Sequence, residues 1–425
     1  MLAILHTFPP RKKEALMTSI WKDRMFIWFA SGQTLAQFGA AIAMFAIPWM
    51  LLQKTGSAAS TGLAFAVGFI PYLSLSLPAG VWADRFSRSK MMIAADLGRL
   101  LTMTALPVSI ALTGDTPVIL LFVVQAVLSA FAAIFDAAYG AYLPQIVPVD
   151  KLSGANSALQ SGSSLSQVLG PALGGTLLAW LGGSQVLLLT TVTYLISVAT
   201  ILKVRRTESP QTVPTTKRRL RKEIGEGFAY VWNHKLIRTT GIFSMLANLA
   251  IPATSVALLF KLQKELVLNS DVTGWIMAGW SAGAVIGSIV YGQIKKRLTM
   301  KQILAGVLLF MLVPPLVLTA TSNLILLVSA FALSGLTVSV WNITLITMRQ
   351  TVIPPEIMGR ALTSIRIVAW CSLPIGNVIG GGLAQGYGSS AVFVFDASVR
   401  LFMLVLSLYL FRQMGQAAPS LAISK

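Results

Sequence analysis

Charged residues are scarce in this chain of 425 amino acids, and their scarcity excludes most soluble proteins. Asp, Glu, Lys and Arg together make up only 11% of the residues, whereas soluble globular proteins carry about 25%. Hydrophobic residues make up 55% of the chain, and the mean hydropathy is +0.75. This composition indicates a protein that has most of its chain inside a membrane.

Cysteine and histidine are nearly absent, which excludes several kinds of chemistry. The single Cys371 lies in a hydrophobic run and can form neither a disulfide nor a thiolate metal site within one chain. His6 and His234 are the only histidines and no acidic cluster accompanies them, which argues against a catalytic triad. The phosphate-binding loop Gly-x-x-x-x-Gly-Lys-Ser/Thr is also missing. We expect a protein that is not an enzyme and binds no metal and no cofactor; the alternative is a membrane sensor or a membrane enzyme.

Long apolar runs follow one another along almost the whole chain. A helix needs about 20 apolar residues to cross the hydrocarbon core, and continuous runs of this length favour helices over a barrel. We therefore predict an all-α membrane protein with twelve transmembrane helices. The predicted spans are 26–52, 58–80, 91–113, 117–143, a fifth that begins after 148–151, 184–203, 236–260, 271–293, 302–320, 322–349, 359–384 and 389–411.

The two halves of the chain repeat each other at a constant offset, which predicts two pseudo-symmetric six-helix halves. The matched pairs include Pro148 and Pro354, Ala155 and Ala361, Gly170 and Gly376, and Gly174 and Gly380. The predicted domains are an N-terminal tail at 1–25, a first half at 26–203, a basic linker with an amphipathic helix at 204–235, a second half at 236–411 and a C-terminal tail at 412–425.

The net charge is +19, and the positions of the basic residues along the chain indicate how it is oriented in the membrane. Most of the 33 Lys and Arg residues lie in the termini and in alternate loops between the predicted spans. Because such residues are enriched in cytoplasmic loops, we predict that both termini are cytoplasmic. The lipid bilayer, and not nucleic acid, is then the partner that the basic charge implies.

A charged segment separates the second and third spans, and we call residues 80–90 the hinge segment. Gly80, Asp84, Arg85, Arg88 and Lys90 follow the spacing Gly-x-x-x-Asp-Arg-x-x-Arg-x-Lys. A plain positive loop would not need the Asp-Arg pair. The spacing resembles the loop between helices 2 and 3 of the major facilitator superfamily, whose fold also consists of two parallel six-helix halves.

Further stretches look like bacterial macrolide-efflux proteins: Gly32-Gln33, Lys54 to Ala58, Val67 to Tyr72, and Met91 to Leu97. The resemblance implies a drug:proton antiporter that exports amphipathic small molecules by alternating access, with a small-molecule substrate and the proton as partners. It also implies a multi-pass monomer in the bacterial inner membrane. Siderophore exporters are close relatives, so a siderophore or a lipid-like metabolite is the alternative substrate.

The same resemblance assigns roles to two groups of residues. In the superfamily, the side chains that match Asp84, Arg85 and Arg88 form a cytoplasmic charge cluster that latches the outward-facing state. With Gly80 they make up the predicted gating cluster, and Asp136 is its expected additional partner. The antiporter motif of helix 5, which by resemblance packs on the eighth span, matches Gly162, Gly170, Pro171, Gly174 and Gly175. Tight helix packing alone would also explain these glycines.

Carboxylates inside the predicted spans are candidates for proton coupling. Asp96 and Asp396 each have a basic residue one turn away, Arg99 and Arg400, whereas Asp136 has none. We predict that Asp136 couples the proton, with Asp96 as the second candidate. A purely structural Asp136 that pairs with the hinge segment is the alternative. The predicted cavity residues are Gln33, Gln37, Phe38, Gln125, Trp341, Asn342 and Arg366.

Overall fold

The computed structural model describes residues 23–205 and 220–416. The predicted terminal tails and the middle of the linker lie largely outside these residues. The described parts fold into helices, because a segment in lipid must satisfy its backbone polar groups internally. The helices are α1 Arg24–Thr55, α2 Ala58–Arg85, α3 Arg88–Thr113, α4 Val118–Ile146, α5 Leu152–Leu181, α6 Gly183–Val204, α7 Leu220–Asn233, α8 Lys235–Phe260, α9 Ser270–Ile294, α10 Met300–Phe310, α11 Val313–Ala320, α12 Leu324–Val352, α13 Pro355–Tyr387 and α14 Ser389–Gln416.

The helices confirm the predicted all-α fold with twelve spans. Eleven spans in the described parts are long and apolar enough to cross a bilayer, with α10 and α11 counted as one span. α5 is the twelfth: it has 30 residues, and its many Gly and Ser residues dilute its hydropathy. A 3₁₀ turn at Val149–Lys151 precedes α5, and a π turn at Lys261–Glu265 extends α8.

The predicted ninth span is not one continuous helix but consists of α10 and α11. α10 ends at Phe310 and α11 begins at Val313, so the helix is interrupted at 311–312. Pro314 and Pro315 lie in the first turn of α11. Proline lacks the N–H that would continue the hydrogen-bond ladder, and it disfavours helical backbone in the residue before it. The two prolines therefore account for the break.

The described residues form two compact units. One comprises residues 23–47 and 67–205, and the other comprises 48–66 and 220–416. Residues 48–66, which hold the end of α1 and the start of α2, thus group with the second unit, although the predicted first half 26–203 includes them. The predicted boundaries at the linker fall partly outside the described residues and stay a prediction.

In the first unit, small residues let α1 approach its neighbours closely. Gly32 and Gly39 of α1 face Thr200 and Thr193 of α6, and a methyl group at either glycine would overlap the threonine side chain. α3 packs on α4 and α6. The core of this unit is a cluster whose buried members include Phe26, Phe29, Met92, Phe135, Ala138, Tyr142 and Ile201.

In the second unit, glycines again mark the closest helix contacts. Gly376 and Gly380 of α13 lie against the backbone of Leu249 and Ala253 in α8. α9 and α12 approach at backbone distance through Gly283 and other small residues. The buried clusters of this unit include Phe243, Leu304, Trp341, Leu345 and Met348 in one and Leu258, Ile276, Phe331 and Phe393 in another.

The predicted amphipathic helix of the linker is α7, and it packs against the start of α13. Gly227 lies against the backbone of Arg360, where any larger residue would overlap the carbonyl group. Glu226 forms an ion pair with Arg360 at 2.5 Å. Val231 packs on the apolar cluster at this end of α13, while Trp232 is 70% exposed. Only part of the helix therefore remains available to lipid.

Candidate functional site

The hinge segment is mostly helical. α2 continues to Arg85, and Ser87 caps α3 by accepting a hydrogen bond from the Lys90 backbone N–H at 3.4 Å. Gly80 lies within α2, and a methyl group there would meet nothing within 4 Å. Asp84 and Arg85 are exposed. The two helices are thus joined by a break of two residues, shorter than the predicted loop.

Arg88 ties the hinge segment to α4. Its Nη1 donates to the carbonyl oxygen of Ala141 at 2.8 Å, and its Nε donates to that of Ala83 at 3.3 Å. Among the described residues, no ion pair joins Asp136 to the hinge segment. The structure therefore does not bring the predicted gating cluster together around Asp136, because the Arg88 guanidinium binds backbone carbonyls instead.

Asp136 lies near the middle of its helix. α4 extends to Ile146, so the carboxylate is about ten residues, or roughly 15 Å, from that end. Asp136 therefore lies in the interior of the predicted span 117–143, away from both of its ends. The Tyr72 hydroxyl, from α2, donates to Asp136 Oδ2 at 3.0 Å. Asp136 is exposed, so this carboxylate is accessible in the folded chain.

Asp96 is the centre of a buried polar network. Arg99 Nη1 donates to Asp96 Oδ1 at 3.1 Å, and the Ser197 hydroxyl donates to Asp96 Oδ2 at 2.6 Å. Gln33 Nε2 in turn donates to the Ser197 hydroxyl at 3.0 Å, and Arg99 Nη2 donates to the carbonyl oxygen of Phe131 at 3.4 Å. The network joins α1, α3, α4 and α6. Asp96 is fully buried, and its pairing with Arg99 offsets the large cost of a charge in the membrane interior.

The second unit contains a comparable ion pair at Asp396 and Arg400. Arg400 donates from Nε to Oδ1 at 2.6 Å and from Nη2 to Oδ2 at 3.0 Å, a bidentate arrangement. The Thr254 hydroxyl donates to Oδ2 at 2.8 Å, and Arg400 Nη1 donates to the carbonyl oxygen of Met311 at 3.0 Å. Both charged side chains are buried. Asp396 is therefore fully engaged and offers no site for a further ligand.

Arg349 is a buried cation that the sequence analysis did not single out. It lies in the last turn of α12, and its Nη2 donates to the Thr240 carbonyl oxygen and to the Ser244 hydroxyl, both at 2.7 Å. Its Nε donates to the Thr240 hydroxyl at 3.3 Å. Among the described residues Arg349 forms no ion pair. Its contacts join α12 to α8, and a basic residue near a helix C-terminus also complements the helix dipole.

The glycines of the helix-5 motif pack on α1, and the expected contact with the eighth span stays a prediction. A methyl group at Gly162 would overlap Thr34, and one at Gly170 would overlap Ala41. Gly174 lies against Ile42, with only 3.3 Å from the position of an added Cβ to the Ile42 carbonyl oxygen. Pro171 and Gly175 belong to the same helix. Because one face of α5 carries all three glycine contacts, the glycines serve packing within the first unit.

The predicted cavity residues lie in different environments. Gln33 is buried in the Asp96 network, and Trp341 is buried against Phe243 with ring centroids 5.5 Å apart. Asn342 is exposed, and Arg366 is exposed with its guanidinium 5.1 Å from the ring centroid of Trp370. The remaining three, Gln37, Phe38 and Gln125, are half-buried. Gln33 and Trp341 are thus buried, Asn342 and Arg366 are exposed, and the cavity itself stays a prediction.

Tyr72 and Ser197 are hydrogen-bond partners of the candidate carboxylates that the sequence analysis missed. Each donates a hydroxyl to a carboxylate on another helix, Asp136 and Asp96 respectively. No spacing in the sequence relates residues 64 and 101 positions apart. The only available signal was the presence of polar residues in apolar runs, which face protein or water.

The comparisons with known proteins identify the family and agree with the fold. A family model described as transmembrane secretion effector matches residues 19–422. The chain belongs to this family. Transmembrane secretion effectors of this kind are transporters of the major facilitator superfamily, which confirms the resemblance drawn from the sequence. The protein is therefore a multi-pass membrane transporter and not an enzyme.

Individual relatives are similar over nearly their whole length. The multidrug efflux pump Tap of Mycolicibacterium fortuitum is 26% identical over 387 residues, which cover 88% of this chain and 92% of Tap. Macrolide efflux protein A of Streptococcus pyogenes is 24% identical over 401 residues, which cover 91% and 95% of the two chains. A bacterial homologue of the iron transporter ferroportin, solved in an inward-facing state, superposes with a TM-score of 0.76 at 17% identity, covering 91% of this chain and 98% of that chain. This last likeness concerns the fold alone.

Proposed function

We propose that this transmembrane secretion effector exports amphipathic small molecules of the drug or macrolide type by proton antiport and alternating access. The observation that carries the proposal is family membership together with the two efflux relatives matched over almost the whole chain. We place the protein in the bacterial inner membrane as a monomer with both termini in the cytoplasm, since Lys and Arg are enriched in cytoplasmic loops.

Proton coupling requires an ionisable group that water can reach, and Asp136 is the carboxylate in the interior of the described spans that is not buried in an ion pair. Asp96 and Asp396 are buried in ion pairs with Arg99 and Arg400. Asp136 is exposed, and among the described residues it forms no ion pair. A charged side chain at this depth faces a water-filled cavity or protein, because contact with lipid is costly. We assign the coupling proton to Asp136, and the Asp96 network to holding four helices together.

A second candidate substrate class is an acidic one, such as a siderophore. Arg366 is the observation that favours it, because this exposed guanidinium lies within α13 and stacks on Trp370. An anionic substrate would bind a guanidinium through charge-assisted hydrogen bonds. The two substrate classes make opposite predictions, since Arg366→Gln should impair export of an anion and leave export of a cation largely intact.

Flux in sealed vesicles tests the proposal. Inverted membrane vesicles with an imposed pH gradient should accumulate a labelled macrolide, and collapse of the gradient by an ionophore should abolish uphill uptake. Asp136→Asn should remove the dependence on the pH gradient. Asp150→Asn, a substitution at an exposed acid in the turn before α5, is the matched control and should behave like the unmodified protein.

Two outcomes would count against this function. Uptake that is independent of the pH gradient in the unmodified protein would reject proton antiport. Uphill uptake by Asp136→Asn at a rate still set by the gradient would place the proton site elsewhere, and a structural Asp136 would become the better interpretation.

A further inference from the structure

Helix α7 has two different faces. The packed face lies on the start of α13 and includes Gly227 and Val231. The exposed residues between positions 225 and 232 are Gly225, Phe228, Ala229 and Trp232. Their spacing of three and four residues places them together on the opposite side of the helix. Phe228 is 37% exposed and Trp232 is 70% exposed, so this side presents two aromatic rings to its surroundings.

Two basic side chains lie beside this aromatic face. Arg238 is in the first turn of α8, and its guanidinium lies 5.6 Å from the ring centroid of Trp232. Its Nη1 donates to the carbonyl oxygen of Trp232 at 3.2 Å, which joins the start of α8 to the end of α7. Lys235, the first residue of α8, is exposed. Neither base forms an ion pair with another described residue.

Arg238 and Trp232 keep donors that can bind an anion. A guanidinium has five N–H donors, and within the described parts of the chain Arg238 uses only Nη1 in a hydrogen bond. The indole N–H of Trp232 has no acceptor among the same residues. Arginine binds phosphate well because its planar fork of N–H groups matches two phosphate oxygens at once. The pair is therefore suited to a phosphate group.

The place of these residues in the fold favours the phosphate of a lipid. α8 begins the membrane span Lys235–Glu265, so Lys235 and Arg238 lie at the end of a span, where the membrane meets water. Tryptophan is enriched at this level because its ring is apolar and its N–H is polar. Five more basic residues stand at 217–222 in the sequence. They lie outside the site, but their charge also favours an anionic membrane surface.

We propose that Trp232, Lys235 and Arg238 bind the headgroup of one anionic phospholipid, while Phe228 rests on the bilayer surface. The lipid phosphate accepts hydrogen bonds from the Arg238 guanidinium and the Trp232 indole, and Lys235 supplies a second positive charge. A free anion would gain nothing from the exposed aromatic face. The site is separate from the carboxylates considered for transport, and it does not rest on the proposed function.

The packed face of α7 gives the bound lipid a structural consequence. Glu226 of α7 forms an ion pair with Arg360 of α13, and Gly227 lies against the Arg360 backbone. A headgroup that holds the outer face of α7 at the bilayer surface therefore also holds the start of α13 there.

Lipid binding to the purified full-length protein in detergent tests the site without transport. Native mass spectrometry measures the dissociation constant of the first bound lipid. The probes are phosphatidylglycerol, which is anionic, and phosphatidylcholine with the same acyl chains, which is zwitterionic. Phosphatidylglycerol should bind at least about tenfold more weakly to Lys235→Gln/Arg238→Gln, since each basic residue near a membrane surface contributes about fivefold. Phosphatidylcholine should bind the variant and the unmodified protein equally.

Lys296→Gln/Arg297→Gln is the matched control. Both control residues are exposed and follow α9. Because α8 and α9 are consecutive spans, the start of α8 and the end of α9 lie on the same side of the membrane. The control removes the same charge from that side and should bind phosphatidylglycerol like the unmodified protein.

Two single variants separate charge from geometry. Arg238→Lys keeps the charge and should retain most of the binding. Trp232→Phe keeps an apolar ring but removes the indole donor, and it should bind phosphatidylglycerol about threefold more weakly or worse.

A fluorescent label locates the exposed face of α7 without changing any residue of the site. In a Cys371→Ser background, a cysteine at the exposed Ala229 is labelled with bimane, and the protein is reconstituted into phosphatidylethanolamine vesicles. Brominated phosphatidylglycerol should quench the label more strongly than brominated phosphatidylcholine. Equal or absent quenching by the two lipids would contradict the proposal.

The binding measurements have three outcomes that overturn the site. The first is equal affinity of phosphatidylglycerol for Lys235→Gln/Arg238→Gln and for the unmodified protein. The second is equal weakening in the matched control, which would show that only the net charge of this side matters. The third is displacement of phosphatidylglycerol by millimolar inorganic phosphate, which would indicate an anion site without lipid. Binding with the expected pattern supports the site even in a protein that shows no gradient-driven flux.

Discussion

The contact between α9 and α12 offers the most direct test of the helix packing. Gly283 of α9 lies against the backbone of Ala332 in α12, and Gly335 of α12 lies against the backbone of Trp280 in α9. A Cβ at Gly283 would lie 2.6 Å from the carbonyl carbon and 2.9 Å from the Cα of Ala332. Since carbon atoms pack at about 3.5–4.0 Å, and the Ala332 carbonyl oxygen would lie closer still, Gly283→Ala requires the two helices to separate by at least roughly 1 Å.

The expected destabilisation follows from this displacement. Overpacking a well-packed interior costs about 1–3 kcal/mol, and here the obstacle is backbone that cannot change rotamer. The higher helix propensity of alanine offsets about 1 kcal/mol at most. We expect Gly283→Ala to lower the free energy of unfolding by about 1–2 kcal/mol. The matched control is Gly292→Ala on the same helix, where a methyl group meets nothing within 4 Å and should be neutral or slightly stabilising.

Thermal unfolding in detergent, followed by size-exclusion chromatography, measures both variants. Gly283→Ala should have a clearly lower midpoint than the unmodified protein, and Gly292→Ala should not. Equal midpoints for the two variants would refute the reasoning, because they would show that α9 and α12 do not approach at backbone distance.

Further predictions concern the buried ion pair and the orientation. Arg400→Met should destabilise the protein by about 3–5 kcal/mol, because it leaves Asp396 buried without its partner. The double variant Asp396→Asn/Arg400→Met should recover most of this stability. A double variant as unstable as Arg400→Met would argue against the pairing. In a Cys371→Ser background, a cysteine at the exposed Tyr387 should react with an impermeant thiol reagent from outside. A cysteine at the exposed Val149 should react only after the inner face is opened, and the reverse pattern would invert the proposed topology.

The helices and the repeat could be predicted because they depend on local composition. Apolar runs of about 20 residues define a span whatever its neighbours are, and eleven spans in the described parts meet this criterion, with α10 and α11 counted as one. The break before Pro314 was equally visible in the sequence, since the cause is the proline itself. The break was missed because the surrounding residues are uniformly apolar, and a hydropathy scale takes no account of the backbone N–H that proline lacks.

The polar contacts could not be predicted because they join distant positions. The Asp96 and Arg99 pair follows from a spacing of one helical turn, and the structure contains it. The partner of Asp136 depends on the rotation of α2 against α4, which no local pattern specifies. Tyr72 was therefore missed, and the hinge bases were assigned to Asp136 on the strength of charge alone.

The glycine contacts show which part of the helix-5 motif reflects packing. Gly170 of α5 lies against α1, and its repeat partner Gly376 of α13 lies against α8. Each is thus in contact with the first membrane helix of its own half. A contact that recurs in both halves is explained by the architecture alone, so the motif by itself does not indicate the direction of transport.

Two buried ion pairs join matching helices in the two halves, whereas Asp136 has no charged counterpart in the second half. The Asp96 network joins α3 to α1 and α6, and the Asp396 network joins α14 to α8 and to Met311 at the end of α10. The repeat matches α1 with α8, α3 with α10 and α11, and α6 with α14. Both ion pairs therefore join the same three helices of their halves, although α3 carries the pair in the first half and α14 carries it in the second. Asp136 instead matches Asn342, which is also exposed but uncharged. Asp136→Asn gives the first half the side chain that the second half carries at the matching position, and it removes the charge with little change in side-chain shape.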